Sequence, residues 1–150
     1  MDIQTEIRAT AMRFLAVREY STTELTRKLT QKGHDAALVK KVLGQLEQEK
    51  LLSDERFLDS FISSRREKGQ GPMRIQRDLE PHEIENMLIE TYLDVQDPHW
   101  LNVAKQVREK KFGADLPGEY KEKMRQARFL EYRGFTHGQI FTILQAEEEH

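Results

Sequence analysis

The sequence predicts an all-α protein built from three tandem three-helix repeats, with about nine helices. Four positions predict this because they recur at a constant offset: an apolar residue, a glycine four positions later, then two apolar residues four apart. They are Leu29, Gly33, Val39 and Leu43, and they return as Leu130, Gly134, Ile140 and Leu144. Each such repeat leaves an apolar face that its neighbour covers, so stacked repeats predict an elongated, curved array with a concave surface.

Composition favours helices over strands. The chain of 150 residues is 37% hydrophobic and 33% charged, and it lacks the alternating Val-, Ile- and Thr-rich runs that are typical of strands. It has no cysteine, which excludes disulfides and thiolate metal sites. No apolar run approaches the roughly 20 residues of a membrane span, and the N-terminus shows no signal-peptide pattern. We therefore expect a soluble, cytoplasmic protein that does not bind membranes.

The first repeat is predicted over residues 5–50. Its first helix runs from about Thr5 to Arg18. Ser21 and Glu24 have the capping-box spacing, in which the serine caps a second helix and the glutamate reaches back to it. Gly33 ends this helix because glycine adopts left-handed torsions at low cost, and Asp35 caps the third helix.

The last repeat, over residues 96–148, uses the same signals. A helix from Trp100 to Phe112 is followed by Gly113. The next helix, which contains Leu130, ends at Gly134, and Thr136 caps the last one with Gln139 in the reciprocal position of the capping box. The same start and stop signals in two distant segments strengthen the repeat prediction.

The middle repeat, over residues 51–95, is expected to be irregular. Ser53 starts one helix and Gly71-Pro72 opens a short second one. Leu79 is then followed by Ile84 after five residues, where the outer repeats have ten, and neither a glycine nor a helix cap is evident. The sequence thus suggests a deletion or an omitted loop near 79–84, and we favour the omitted loop.

Charge is unevenly distributed along the chain. The net charge of −2 argues against binding to nucleic acid by bulk charge alone. However, residues 65–77 contain five basic residues and one acid, and residues 105–133 contain nine basic residues and five acids. Local basic faces on a mildly acidic chain indicate a selective electrostatic contact.

Catalysis and metal binding find little support in the sequence. The chain has no nucleophile elbow, no phosphate-binding glycine loop and no dinucleotide fingerprint, and its five histidines are scattered. We therefore expect no enzyme activity and no cofactor. Six aromatic residues occupy helical spacings among other apolar positions, which favours the hydrophobic core over base stacking: Phe57, Phe61, Trp100, Phe129, Phe135 and Phe141.

Several segments in this order resemble the RecX family of RecA regulators. They cover about residues 8–145 and include the runs 15–21 (LAVREYS), 24–29 (ELTRKL), 51–57 (LLSDERF), 68–75 (KGQGPMRI) and 128–135 (RFLEYRGF). The resemblance implies a cytoplasmic modulator, mainly an inhibitor, that binds the RecA filament on DNA. It implies limits on filament growth, ATP hydrolysis, strand exchange and LexA cleavage, and hence a role in DNA repair, homologous recombination and the SOS response.

Basic residues are the candidate contacts for RecA or for DNA phosphate, with a solvated helix face as the alternative for each. We expect weak phosphate contacts with DNA and a monomeric protein. The candidates are Arg18, Arg27, Lys28, Lys32, Arg65, Arg66, Lys68, Arg74 and Arg77, and a weaker group is Lys110, Lys111, Arg125 and Arg128.

Two other functions stay open from the sequence. Three-helix units with tight turns also suggest a DNA-binding regulator of the helix-turn-helix type. Its recognition helix would present Arg, Asn or Gln to bases, whereas the third helices here begin with residues 36–38 (AAL) and 137–139 (HGQ). A protein-interaction scaffold without DNA contact is the third class.

Overall fold

The fold was analysed in a computed structural model, which describes residues 2–145. Over this range the chain has nine α-helices and one 3-10 turn, Glu80–His82, and no strand, which confirms the all-α class. The helices are α1 Ile3–Val17, α2 Thr22–Gln31, α3 Ala36–Gln48, α4 Asp54–Glu67, α5 Pro72–Leu79, α6 Asn86–Tyr92, α7 His99–Phe112, α8 Tyr120–Arg133 and α9 His137–Gln145.

The predicted helix caps of α3 and α9 are confirmed. Asp35 Oδ2 accepts a hydrogen bond from the Leu38 amide at 3.1 Å. At α9, Thr136 Oγ1 accepts from the Gln139 amide at 3.0 Å, and Gln139 Oε1 accepts from the Thr136 amide at 2.9 Å. The last repeat therefore has the complete reciprocal capping box.

The capping box at α2 is only half formed. Ser21 Oγ accepts from the Glu24 amide at 3.1 Å, as predicted. The Glu24 carboxylate does not reach back, because it pairs with Arg18 Nη2 at 2.7 Å. An arginine one turn before the helix competes successfully for the carboxylate that the capping box would use.

The middle repeat keeps the full spacing, so the expected irregularity near 79–84 is wrong. Helix α6 begins three residues after Glu83, just as α3 and α9 begin three residues after Gly33 and Gly134. The residues that match Val39 and Leu43 are therefore Ile89 and Leu93, not Ile84 and Leu88. The three matched sets are buried throughout: Leu29, Val39 and Leu43; Leu79, Ile89 and Leu93; Leu130, Ile140 and Leu144.

Glu83 hides this register because it takes the place of the glycine. Its φ of +52° lies in the left-handed region, as do the φ of +96° at Gly33 and +103° at Gly134. A side chain in this conformation costs roughly 1–2 kcal/mol. The strain is offset in part by Arg27, whose guanidinium donates to the Pro81 carbonyl oxygen at 2.7 Å and lies 3.3 Å from Glu83 Oε2.

Packing divides the described chain into two compact units. One contains the residues up to Phe61 together with Pro81–Ile89, and the other contains Ile62–Glu80 together with the residues from Glu90 onward. In the first unit a single apolar core joins α1, α2 and α3: Ile7, Ala11, Tyr20, Leu25, Leu29, Val39, Val42, Leu43, Leu46 and Leu52. The repeat boundaries at 50/51 and 95/96 stay a prediction.

His82, in the first unit, lies beside the start of α2. Its Nδ1 is 2.6 Å from Ser21 Oγ, and its ring is 4.6 Å from the Phe57 ring and 5.7 Å from the Phe61 ring. Ser21 Oγ also accepts from the Glu24 amide, which leaves it one proton and one lone pair for its hydrogen bond with His82 Nδ1. Burial lowers the pKa of His82 and so favours the neutral imidazole.

In the second unit the start of α5 is capped by the end of α8. The Gly71 amide donates to the Arg133 carbonyl oxygen at 2.8 Å, and the Met73 amide donates to the Gly134 carbonyl oxygen at 2.8 Å. A Cβ atom on Gly71 would lie 2.4 Å from the Gly134 carbonyl carbon, and one on Gly134 would lie 2.3 Å from Arg74 Cβ. Two glycines therefore permit this contact between backbones.

Arg108 is a buried cation in the same unit, with only 1% of its surface exposed. Its guanidinium donates to the carbonyl oxygens of Gly113, Ala114 and Asp115 at 3.1–3.3 Å, and to Gln126 Oε1 at 3.2 Å. These bonds fix the loop after α7 against α8 and compensate much of the burial of the charge, although Arg108 Nε is buried without a hydrogen-bond partner among the described residues.

We predict that Gly134→Ala destabilises the protein far more than Gly33→Ala. Both glycines have positive φ, so both substitutions incur roughly 1–2 kcal/mol of backbone strain. At Gly33 an added Cβ meets nothing within 4 Å, whereas at Gly134 it meets the backbone and Cβ of Arg74. Overpacking raises the Gly134→Ala loss to about 3 kcal/mol or more. Urea unfolding of both variants tests this, and equal losses would contradict the close contact.

We also predict that acidification weakens the fold through His82. Its pKa is lowered in the folded state, so below the ordinary value of about 6.5 the unfolded chain binds more protons. The stability is complete above that pH and falls as the pH drops toward the folded pKa. Glu24 and Asp54 partly oppose this shift, while Arg18 and Arg27 reinforce it. The free energy of unfolding, measured between pH 7.5 and 5, should fall less for His82→Gln than for the unchanged protein; parallel curves would reject the assignment.

Candidate partner-binding cleft

Basic side chains from three helices surround one cleft in the second unit. Its volume is about 460 Å³. Five of its lining residues are basic and one, Glu67, is acidic. The basic residues come from the end of α4, the end of α7 and the end of α8: Arg66, Lys68, Lys110, Lys111 and Arg133.

Aromatic rings hold three of these cations in place. Lys111 Nζ lies 5.7 Å from the centroid of the Phe129 ring, and the Arg133 guanidinium carbon lies 5.3 Å from the same centroid. The Arg66 guanidinium carbon lies 5.9 Å from the Trp100 centroid. These cation–π contacts position the charges without neutralising them, so the cleft stays electropositive.

Arg133 forms the wall of the cleft nearest the glycine contact between α5 and α8. Its Nη1 donates to the Lys68 carbonyl oxygen at 3.0 Å, with the Gly69 carbonyl oxygen at 3.4 Å. Gly69 itself has a φ of +83°, and a Cβ there would lie 3.0 Å from Val107 and 3.1 Å from Arg133 Nη1. The loop after α4 is thereby fixed against α7 and α8.

The cleft unites candidates from both predicted groups. Arg66 and Lys68 were in the main group and Lys110 and Lys111 in the weaker one, although about forty residues separate the two pairs. Arg133 was missed as a candidate. Its position directly before Gly134 could have identified it, because the last residue of a helix lies close to the residues that the following turn contacts.

Several other predicted residues have acidic partners instead. Arg18 Nη2 lies 2.7 Å from Glu24 and also stacks on Tyr20, and the hydrogen bond with Glu24 raises the pKa of Arg18. On α8, Arg125 lies 2.9 Å from Glu122, which lowers the pKa of that glutamate. Arg27 pairs with the turn at Glu83, as described above. These charges are engaged within the chain and contribute less net positive potential.

Three further candidates form ion pairs with Asp78. Arg65 Nη1 lies 2.7 Å from Asp78, and both Arg74 Nε and Arg77 Nε lie 3.9 Å from it. Arg65 also donates to Gln70 Oε1 at 3.1 Å. Among the three, Arg77 has the most exposed side chain, at 69%.

The remaining candidates do not line the cleft. Lys28 and Lys32 are exposed on the first unit, with Lys32 Nζ 5.9 Å from the Phe14 ring centroid. Arg128 is exposed on α8 and lies at an apolar groove between α8 and α9. The sequence divided the thirteen candidates into a main and a weaker group, whereas the structure separates them by their partners.

The chemistry of the cleft suits a phosphate or a carboxylate. Arginine and lysine donate hydrogen bonds and carry no acceptor, so the site is matched to anionic oxygen. Within residues 2–145, no group of three His, Asp or Glu side chains could hold a metal ion. In the same range, none of the helices combines the length and apolar character that crossing a membrane requires.

The chain matches known RecX domains one repeat at a time. The family models for the first, second and third three-helix domains of RecX match residues 8–46, 53–93 and 101–144. The crystal structure of RecX from Lactobacillus salivarius is 19% identical, covers 99% of both chains and has a TM-score of 0.82. A second crystal structure, of a regulatory protein RecX, covers 97% of this chain and 74% of its own, with 18% identity and a TM-score of 0.81. These likenesses establish the fold.

Sequence relatives establish the family. Regulatory protein RecX from Halorhodospira halophila is 41% identical over 143 residues, which is 95% of this chain and 89% of the relative. Regulatory protein RecX from Pseudomonas syringae pv. tomato is 39% identical over 144 residues, which is 96% of this chain and 93% of the relative. With three family domains in order along one all-α chain, the protein belongs to the RecX family of regulatory proteins.

Proposed function

We propose that this protein regulates RecA by binding the RecA filament on DNA. On this proposal it limits filament growth, ATP hydrolysis, strand exchange and LexA cleavage, and so acts in DNA repair, recombination and the SOS response. It acts as a cytoplasmic monomer without catalytic activity. The observation that carries the proposal is membership of the RecX family over nearly the whole chain.

The basic cleft is the proposed contact with the DNA of the filament. Lys68, Lys110 and Lys111 are exposed, and Arg133 is fixed at the cleft wall by the Lys68 carbonyl oxygen. Phosphates that enter such a cleft release counterions, which supplies affinity independent of base sequence. The net charge of −2 keeps this affinity modest, so that recognition of the protein filament decides where the chain binds.

The mechanism we propose is steric. A chain bound to DNA phosphate and to a RecA protomer bridges neighbouring protomers and obstructs subunit exchange or growth at the end. This mechanism requires two kinds of contact, one with DNA and one with protein, because DNA contact alone would not distinguish a filament from bare DNA.

The helix-turn-helix alternative is disfavoured by the start of α9. Gln139, the residue best suited to read a base, is 6% exposed. Its side-chain amide is already used, since Oε1 accepts from Thr136 and Nε2 donates to the Val95 carbonyl oxygen at 2.7 Å. Helix α3 begins with Ala36, Ala37 and Leu38, which cannot specify a base by hydrogen bonds.

We predict that the protein lowers ATP hydrolysis by RecA on single-stranded DNA. The rate should fall progressively as the protein is added from sub-stoichiometric to equimolar amounts. A fall at levels too low to coat the DNA indicates action on the filament rather than competition for DNA. An unchanged rate at equimolar protein would refute the proposal.

We predict that Lys110→Ala combined with Lys111→Ala weakens binding to single-stranded DNA on the order of tenfold at low salt. Loss of two phosphate contacts should reduce the slope of log affinity against log salt by about 1.4. Both lysines are exposed, so the fold is unaffected. The matched control is Lys40→Ala with Lys41→Ala, another exposed pair of adjacent lysines, on α3. Fluorescence anisotropy at several salt concentrations measures both pairs; equal losses would remove the cleft from the proposal.

A further inference from the structure

An apolar groove between α8 and α9 has no role in the basic cleft. It lies within the second unit and has a volume of about 330 Å³. Its floor and walls are mainly apolar: Met124, Ala127, Ile140, Phe141 and Leu144. Phe141 is 59% exposed and Met124 36%, so large apolar side chains face solvent here.

The repeat register shows that all three outward positions of this face are apolar in the last repeat alone among the three. Met124, Ala127 and Phe141 correspond to Thr23, Thr26 and Lys40 of the first repeat. In the middle repeat they correspond to Met73, Gln76 and Glu90. The buried positions Ile140 and Leu144 are apolar in all three repeats, so the difference is confined to the outward-facing positions.

Charge at the groove indicates what kind of partner it fits. Arg128 lines it with an exposed side chain, Lys123 is buried and has an interaction of its own, and its one acid, Glu131, lies 2.6 Å from His137 Nε2. Within the described residues no acid pairs with Arg128. An apolar floor beside the exposed Arg128 complements an apolar segment that carries an acid, whereas a phosphate backbone could not be desolvated on Met and Phe.

We infer that this groove docks an amphipathic helical segment of the RecA protomer, with its apolar stripe on Phe141 and Met124 and an acidic residue beside Arg128. Grooves between two helices bind such segments through side chains at i, i+3 and i+4. Methionine adapts its shape to the partner, and aromatic residues, Met and Arg are enriched at protein interfaces. The inference rests on the proposed function and supplies the protein contact that the basic cleft lacks.

The test compares Phe141→Glu with Tyr120→Glu. Both residues are exposed aromatics in the second unit, but Tyr120, 77% exposed, does not line the groove. Labelled protein is titrated with RecA filaments on single-stranded DNA and, separately, with the DNA alone. We expect Phe141→Glu to weaken filament binding at least tenfold and DNA binding less than twofold relative to Tyr120→Glu, with thermal unfolding unchanged.

Met124→Glu should reproduce the loss, and Arg128→Glu should weaken filament binding through the acidic partner residue. If the unchanged protein and Phe141→Glu bind filaments equally, the groove is not the docking site and the proposed function stands. If Phe141→Glu loses DNA binding equally, the groove is a nucleic-acid surface and the inference is overturned. If the unchanged protein binds bare DNA but not filaments, the proposed function itself fails and the groove assignment with it.

Discussion

Much of the second unit depends on the contact between Gly71 and Gly134. The amides at the start of α5 would be unsatisfied, since Gly71 has no side chain to cap them. The Arg133 and Gly134 carbonyl oxygens, more than sixty residues away along the chain, accept from Gly71 and Met73. This contact joins the positive end of one helix to the negative end of another. It also brings Arg133 to the Lys68 carbonyl oxygen, so the same constraint that closes the fold builds one wall of the basic cleft.

Local chemistry made most of the helices predictable. Asp35 and Thr136 cap the helices that they were expected to cap, and Gly33 and Gly134 adopt the left-handed torsions expected after α2 and α8. The middle repeat was misaligned because Glu83 stands where the outer repeats have the glycine that marks the turn. The strain at Glu83 is offset in part by contacts with Arg27 of α2, which no local sequence pattern indicates. The register was nevertheless present in the sequence, as Leu79, Ile89 and Leu93.

The candidate site was less predictable than the fold because charge runs do not reveal partners. Lys110 and Arg125 look equivalent in the sequence, yet one lines the cleft and the other is paired with Glu122 at 2.9 Å. Such pairings depend on which side chains meet one turn along a helix or across a turn. Arg65, within the most basic segment, is similarly held by Asp78. The prediction that the aromatic residues belong to the hydrophobic core holds for only some of them. Phe57, Trp100 and Phe135 are buried, whereas Phe141 is exposed.

Repetition lets the repeats differ in function while sharing one scaffold. Every repeat keeps its buried triplet, and burial constrains those positions to apolar residues. The outward positions carry no such constraint: Lys40, Glu90 and Phe141 occupy one place in the register and differ in charge and polarity. On the proposed function, the protein must distinguish a protein filament from the DNA inside it and so needs separate surfaces for the two. Divergence at outward positions provides them without disturbing the core, which is why we place recognition of DNA in the cleft and recognition of protein in the groove.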